Sequence, residues 1–276
     1  MMTHATKKTV AALIPMMIFL VLTPGCRKKS VEITPDLATS DEAMYKLGEA
    51  EMKKDMEKAI LYLRQVIDSF PKSFYAQRAK LLIADAYFRK SDESNMILAA
   101  AEYREFIRTY PYSPSAAYSQ YQIAMTFFRK ILKPGRDQTK TIQALAEFKK
   151  VITDYPASDQ AKTAQEKVKQ CEELLAAHNA EIAISYYKRR AYKASISRLS
   201  EIMTSYPDYS RLDTIYFYLG ECHFQLNLLD QAFPYFTKVV TDYPRRPLAK
   251  RAAARLTQIE KRKAAPAPAA KKVKKS

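Results

Sequence analysis

The side chains best suited to chemistry in this chain are its three cysteines and its three histidines. Cys26 closes an apolar run near the N-terminus, whereas Cys171 and Cys222 fall within helical patterns. Without a CxxC pair or a Cys/His spacing that suits a metal ion, the last two are expected to be buried thiols that pack as small apolar groups. His178 falls on a long predicted helix. His223 stands at a packing position, where a core role is favoured over a ligand role.

A catalytic site is not indicated by the remaining polar residues. Serines and carboxylates are plentiful, but none shows a partner spacing for nucleophilic or acid–base catalysis. The four glycines of the chain cannot form a glycine-rich phosphate loop. We therefore expect no catalytic residue, no metal ion and no cofactor, and the chain is not expected to be an enzyme.

The formal charge of +17 resides at the two ends of the chain. Residues 1–30 carry five basic residues and no acid, and residues 245–276 carry twelve basic residues against Glu260 alone. The body, 31–244, is almost neutral, which argues against a nucleic-acid-binding fold. The low-complexity stretch 264–276 predicts a disordered basic tail, either simply solvated or touching anionic lipid headgroups.

An export signal is indicated at the N-terminus. Lys7 and Lys8 precede the apolar run Val10–Leu22, which is too short to span a bilayer but suits a signal peptide. The segment ending in Gly25-Cys26 resembles the lipobox of bacterial lipoproteins, which implies cleavage before Cys26 and acylation of that cysteine. Residues 1–25 would then be the signal peptide and 26–40 a lipidated, extended tether.

In the same resemblance, Arg27 stands where an aspartate would signal retention in the inner membrane, so the implied location is the outer membrane, lipid-anchored and facing the periplasm. An ordinary signal peptide with an incidental cysteine is the alternative.

A repeated pattern organises the body. Five aromatic–proline pairs recur at intervals of 37 to 51 residues: Phe70-Pro71, Tyr110-Pro111, Tyr155-Pro156, Tyr206-Pro207 and Tyr243-Pro244. Twelve residues before the prolines stand small residues: Ala59, Ala99, Ala144, Ser195 and Ala232. Eight and five residues before them stand large apolar ones: Leu63, Tyr103, Phe148, Leu199 and Phe236, then Val66, Phe106, Val151, Ile202 and Val239.

These offsets place the three positions on one helical face that ends at a proline. They are the marks of the tetratricopeptide repeat, so we expect an all-α, right-handed α-solenoid of about five repeats.

The repeats predict the following organisation. Repeats 1–3 occupy 41–156, and repeats 4 and 5 with a capping helix at Ala249–Lys263 occupy 157–263. Lys133–Thr141 is predicted to be a loop. A stretch without glycine or proline predicts a long helix through Glu166–Arg190.

Two internal segments extend the resemblance. Arg136–Thr139 reads RDQT before a helix, and His178–Leu199 contains a tyrosine pair, basic residues and an aromatic stretch that leads to Arg198. With the lipobox and the repeats, these segments resemble the BamD family of repeat lipoproteins. Ser197 replaces the family's asparagine, and Arg190 replaces its glycine.

The resemblance implies a scaffold without turnover, whose partners are the POTRA domains of a BamA-like barrel insertase, other assembly-complex lipoproteins and unfolded outer-membrane proteins. It implies membrane attachment through the N-terminal lipid and no nucleic acid. Arg198 matches the family arginine that contacts BamA. For the substrate-peptide groove we predict residues on the first helices of repeats 2 and 3: Tyr75, Arg78, Tyr87, Tyr118 and Tyr121. The alternatives are another periplasmic repeat lipoprotein that coordinates cell-envelope or division enzymes, and an enzyme with a cluster in the groove.

Overall fold

The computed structural model describes residues 40–264. The predicted signal peptide, the lipidation site at Cys26, the tether up to residue 39 and the tail from residue 265 lie outside the described residues. Within 40–264 the chain forms eleven helices: α1 Asp41–Glu51, α2 Met56–Ser69, α3 Phe74–Lys90, α4 Glu93–Thr109, α5 Ala116–Phe128, α6 Thr139–Asp154, α7 Asp159–Lys188, α8 Tyr192–Ser205, α9 Leu212–Gln225, α10 Leu229–Asp242 and α11 Pro247–Ala264.

The helices form a solenoid of five helical pairs and a final helix. Each helix packs on the next one in the chain, from α1 on α2 to α10 on α11. The second helix of each pair is the one that ends at an aromatic–proline step: α2, α4, α6, α8 and α10. The predicted all-α repeat fold is confirmed, and α11 covers the end of the stack by packing on α10 and α9.

The repeated positions form the centre of each pair. All fifteen small and large residues at the three offsets are at most 1% exposed. The one polar member, Ser195, donates a hydrogen bond from Oγ to the carbonyl oxygen of Ala183 at 2.8 Å, which satisfies its hydroxyl inside the core. The periodic pattern therefore identifies the residues that hold the first and second helices together.

The aromatic residue before each proline ends its helix in one way. Its backbone N–H donates to the carbonyl of the large apolar residue four positions earlier, as Phe70 does to Val66 at 3.0 Å and Tyr206 to Ile202 at 2.8 Å. The aromatic residue has left the helical conformation, as the following proline requires. The chain then turns into the first helix of the next repeat.

Two glycines allow the helices of the outer repeats to approach closely. A Cβ atom at Gly48 would lie 2.8 Å from Cγ of Leu63, and one at Gly220 would lie 2.8 Å from Cε1 of Phe236. Both contacts join a first helix to the large repeat position of the second helix. Glycine is used at these positions because a side chain would push the helices apart.

The hydrophobic core is a series of local clusters along the chain. One joins α1, α2 and α3 around Leu63, the next joins α3, α4 and α5 around Tyr103, and the third joins α5, α6 and α7 around Phe148. Two more clusters, around Leu199 and Phe236, continue the series to α11. Each repeat is therefore stabilised mainly by its neighbours, as in other solenoids.

Three predicted boundaries differ from the structure. The loop predicted over Lys133–Thr141 is too long, because α6 begins at Thr139. The side chain of Gln138 is buried and organises that turn: its Nε2 donates to the carbonyl of Lys133 at 3.0 Å, and its Oε1 accepts from the Thr141 hydroxyl at 2.6 Å. The loop is closed by side-chain bonds, which the repeat pattern does not reveal.

The long helix α7 begins earlier than predicted, because the Ser158 side chain caps it by accepting from the backbone N–H of Ala161. It ends at Lys188, two residues before the predicted end, since Arg190 adopts a left-handed backbone with φ of 62°. The final helix runs over Pro247–Ala264 and is slightly longer than the predicted Ala249–Lys263.

Candidate protein-interaction surfaces

Arg78 lies between two aromatic rings where repeats 1 and 2 meet. Its guanidinium carbon is 4.8 Å from the ring centroid of Tyr45 and 5.8 Å from that of Phe74. Tyr75 packs on Tyr45 with 5.4 Å between ring centroids, and hydrogen bonding to Glu42 raises the pKa of Tyr75. Arg78 is exposed and Phe74 is 66% exposed, so a cation and an aromatic face are accessible side by side.

Tyr118 is held in a partly buried hydrogen-bond network. Its hydroxyl donates to Oδ1 of Asp85 at 2.9 Å, and the Tyr103 hydroxyl donates to the same oxygen at 2.5 Å. Burial, together with the charge of Asp85, raises the pKa of both tyrosines. The network links α3, α4 and α5, so Tyr118 has a structural role whatever else it contacts.

The other two predicted tyrosines are packing residues as well. Tyr87 is half-buried against the clusters on both sides of α3, and Tyr121 lies 5.5 Å from the ring of Phe148. The structure thus brings Tyr75 and Arg78 together and places Tyr87 and Tyr118 around one core, whereas Tyr121 packs in the next core. Arg78 is the one exposed side chain among the five.

Arg198 lies on the outer face of α8. Its side chain is 53% exposed and pairs with Glu201, 61% exposed, at 3.3 Å between Nη1 and Oε2. The next residue, Leu199, is completely buried, so the backbone that carries Arg198 is fixed by the core. An exposed i,i+3 ion pair contributes little to stability, and Arg198 can exchange Glu201 for another carboxylate.

The C-terminal repeats contain an ion pair with a buried carboxylate that the repeat pattern does not predict. Glu221 on α9 is 1% exposed and accepts from Arg255 of α11, at 2.6 Å from Nε and 3.0 Å from Nη2. The Tyr187 hydroxyl of α7 donates to the same carboxylate at 2.9 Å. A carboxylate within the apolar run YFYLGECHF is a signal that could have identified it.

His223 is a core residue, as the sequence favoured. It is 9% exposed, its ring stacks on Tyr235 at 5.5 Å between centroids, and its Nδ1 is buried without a hydrogen-bond partner. Burial lowers its pKa. His178 has a different role, since its Nδ1 lies 2.6 Å from the carbonyl oxygen of Pro134 and ties α7 to the α5–α6 loop.

We expect His223 to make stability depend on acid pH. Its folded pKa is depressed, so the unfolded chain binds the proton better and the free energy of unfolding falls as pH drops below about 6.5. His223→Phe keeps a ring against Tyr235 and removes this titration. Denaturant unfolding at neutral and mildly acid pH should show a smaller loss of stability for the variant, and an equal loss in both proteins would contradict the assignment.

Between residues 40 and 264, no three His, Cys, Asp or Glu side chains come together in a way that could hold a metal ion. Cys171 and Cys222 are free and buried, as predicted, and burial raises the pKa of each thiol. None of the helices α1–α11 is both long and apolar enough to cross a membrane.

Comparison with known protein families gives two matches. The sequence model of the YfiO family, described as outer membrane lipoprotein, matches residues 37–229, which is most of the chain. A model described as tetratricopeptide repeat matches residues 215–245, the fifth helical pair.

Curated relatives of this chain bear the name outer membrane protein assembly factor BamD. The relative from Caulobacter vibrioides is 26% identical over 75% of this chain and 68% of its own length. That from Rickettsia prowazekii is 26% identical over 83% of this chain and 89% of its own length. That from Haemophilus influenzae is 24% identical over 67% and 72%, respectively.

Proposed function

The chain belongs to the YfiO family of outer membrane lipoproteins, and from this premise we propose that it is an outer-membrane protein assembly factor: a non-catalytic scaffold that holds a barrel insertase and unfolded substrates. The observation that carries the proposal is the family match over 37–229, which coincides with the helical repeats. The proposed anchor is the acylated Cys26, with the repeats facing the periplasm.

The C-terminal repeats are the proposed docking site for the POTRA domains of a BamA-like insertase. Arg198 is the proposed contact because it is exposed, rigidly placed beside Leu199 and bound only to an exposed glutamate. A charge-assisted hydrogen bond from this guanidinium to a partner carboxylate would contribute about 1.5–3 kcal/mol. In the proposed complex, the partner carboxylate takes the place of Glu201 as the ion-pair partner of Arg198.

The N-terminal repeats are the proposed receptor for segments of unfolded outer-membrane proteins. Such segments are extended and rich in aromatic residues at strand positions. The exposed Phe74 ring and the Arg78 guanidinium beside it offer stacking and a positive charge to such a peptide. Tyr75, whose ring centroid lies 5.8 Å from that of Phe74, belongs to this surface. Tyr87, Tyr118 and Tyr121 are proposed to continue the groove along the first helices of repeats 2 and 3.

A pull-down from gently solubilised membranes tests the scaffold role. Tagged full-length chain is expected to recover a POTRA-bearing barrel protein, and Arg198→Glu is expected to reduce that recovery at least about tenfold, since reversal adds repulsion to the lost bond. Arg108→Glu is the control, because Arg108 is also exposed and also pairs with a glutamate three residues away, in the reverse order along the chain.

Two outcomes would overturn parts of the proposal. Recovery of a division or peptidoglycan enzyme without an insertase would favour the alternative, an envelope coordinator with the same fold. Equal recovery by the Arg198→Glu and Arg108→Glu variants would place the insertase contact elsewhere on the repeats.

A further inference from the structure

The turns between first and second helices of repeats 3 and 4 carry a dense set of cations. We call this set the basic edge; its members are Lys133, Arg136, Lys188, Arg189, Arg190 and Lys193. All six side chains are exposed, and none forms an ion pair with a carboxylate anywhere in residues 40–264. The charge is therefore available to a partner.

The two turns form one continuous surface. Residues of the α5–α6 loop reach α7, where the Pro134 carbonyl lies 2.6 Å from Nδ1 of His178. A shallow cleft beside this contact is lined by Gly135 from the loop and by Glu181, Tyr186 and Arg189 from the end of α7. The cations of both turns thus belong to the same patch of the solenoid.

The equivalent turns of repeats 1 and 2 differ in charge. Lys53 and Lys54 are followed by Asp55 and Glu57, and Arg89 and Lys90 are followed by Asp92 and Glu93. Asp55 and Asp92 also cap their helices. Asp137 is the one acid of the α5–α6 turn and the α7–α8 turn has none, so the charge excess is confined to repeats 3 and 4 and is not a general feature of how these turns are built.

Arg190 occupies a backbone position that favours glycine. Its φ is 62°, and the other non-glycine residues with positive φ in the described chain are Ser91 and Asn227, which occupy the corresponding turns of repeats 2 and 5. An arginine is strained in this left-handed region, where glycine and asparagine are preferred. Despite this strain, position 190 carries an arginine, so that Lys188, Arg189 and Arg190 are three consecutive basic residues at the turn.

Apolar side chains are interspersed among the cations. Leu132, next to Lys133, is 51% exposed, Ile182 is 37% exposed, and Tyr186 is half-buried in the same cleft. Exposed aliphatic groups, an amphipathic tyrosine and long cationic stems suit the headgroup region of a membrane, where the stems lie along apolar surface and the charges meet phosphates.

We propose that the basic edge rests on the headgroups of anionic phospholipids in the membrane to which the protein is attached. The charge selects anionic lipid, and Leu132 and Ile182 contact the boundary of the acyl chains. Membership of an outer membrane lipoprotein family places a bilayer within reach of the repeats. The contact would orient the solenoid on the membrane, which goes beyond the scaffold role proposed above and does not require the insertase.

Hydrogen exchange of the full chain on vesicles tests the proposal. The protein is reconstituted into phosphatidylcholine vesicles or into equimolar phosphatidylcholine–phosphatidylglycerol vesicles, and only the vesicle-bound fraction is analysed. Peptides covering 129–138 and 186–193 should exchange several-fold more slowly on the anionic vesicles. The effect should vanish in high salt. The turns at 52–56 and 89–93 are internal controls and should exchange equally on both vesicles.

Four variants separate lipid contact from folding and from insertase binding. The double variant Arg136→Glu/Arg189→Glu should abolish the slowing, whereas Arg108→Glu/Arg245→Glu, with the same net charge, should keep it. Arg190→Gly fits the left-handed backbone, so it should weaken the slowing while it preserves the melting temperature. Arg198→Glu should keep the slowing, because Arg198 is not a member of the basic edge.

Equal exchange of 129–138 and 186–193 on both vesicles would overturn the proposal. Equal slowing in the control turns would also overturn the proposal. Slowing that persists in the Arg136→Glu/Arg189→Glu variant would overturn it as well. An acidic protein as the true occupant would produce the first of these results, because no such protein is present in the vesicles.

Discussion

Replacing Glu221 by alanine is expected to lower the free energy of unfolding by about 3–5 kcal/mol, the usual consequence of removing one partner of a buried ion pair. The carboxylate is 1% exposed and is shared by Arg255 of α11 and Tyr187 of α7. Without it, a half-buried guanidinium loses both of its bonds to the carboxylate, and a tyrosine hydroxyl loses its acceptor. The Arg255 guanidinium also lies 4.6 Å from the Phe224 ring centroid, so it cannot move into water without losing that contact.

Chemical denaturation of the Glu221→Ala variant measures this loss. Glu201→Ala is the matched control, since it removes a glutamate from an exposed arginine pair and should change stability by less than about 0.5 kcal/mol. In the double variant Glu221→Leu/Arg255→Met, apolar packing replaces the pair, and most of the loss should be recovered. A loss below 1 kcal/mol in the single variant would show that Glu221 does not join α7, α9 and α11.

The Glu221 network also illustrates what the sequence could not predict. The proline-anchored pattern correctly identified the residues at the centre of every helical pair, because one helix face repeats at fixed offsets from its end. Contacts between first helices of different repeats follow no such spacing. The approach of Tyr45 to Arg78 and of Tyr187 to Glu221 depends on loops and on a long α7 that vary from repeat to repeat.

Candidate site residues were harder to predict for a related reason. Tyrosines on first helices were predicted to line a groove, but a tyrosine can serve equally in packing, and Tyr118 is bonded to Asp85 inside the fold. Arg78 is the exposed member of the predicted set, and it lies beside the exposed ring of Phe74, which stands one helical turn earlier and therefore on the same face. That spacing was visible in the sequence. The contact with Tyr45 was not, because it crosses between repeats.

Phe148→Ala should cost about 3–5 kcal/mol of unfolding free energy, through lost burial and the cavity left behind. Phe148 fills the large position of repeat 3, is 0% exposed, and receives the rings of Tyr121 at 5.5 Å and Phe128 at 5.7 Å. Repeat 3 lies in the middle of the array, so its loss disconnects the proposed substrate surface from the proposed insertase site.

The control for Phe148 is in the same helix. Ile142 is 58% exposed, and Ile142→Ala should change stability by less than about 0.5 kcal/mol. Because stability in a solenoid is a sum of neighbouring terms, Phe148→Ala should also split the denaturation curve into two steps that report the N-terminal and C-terminal repeats separately. A single transition shifted by less than 1 kcal/mol would contradict both the packing role of Phe148 and the position of repeat 3 as the link between the two halves.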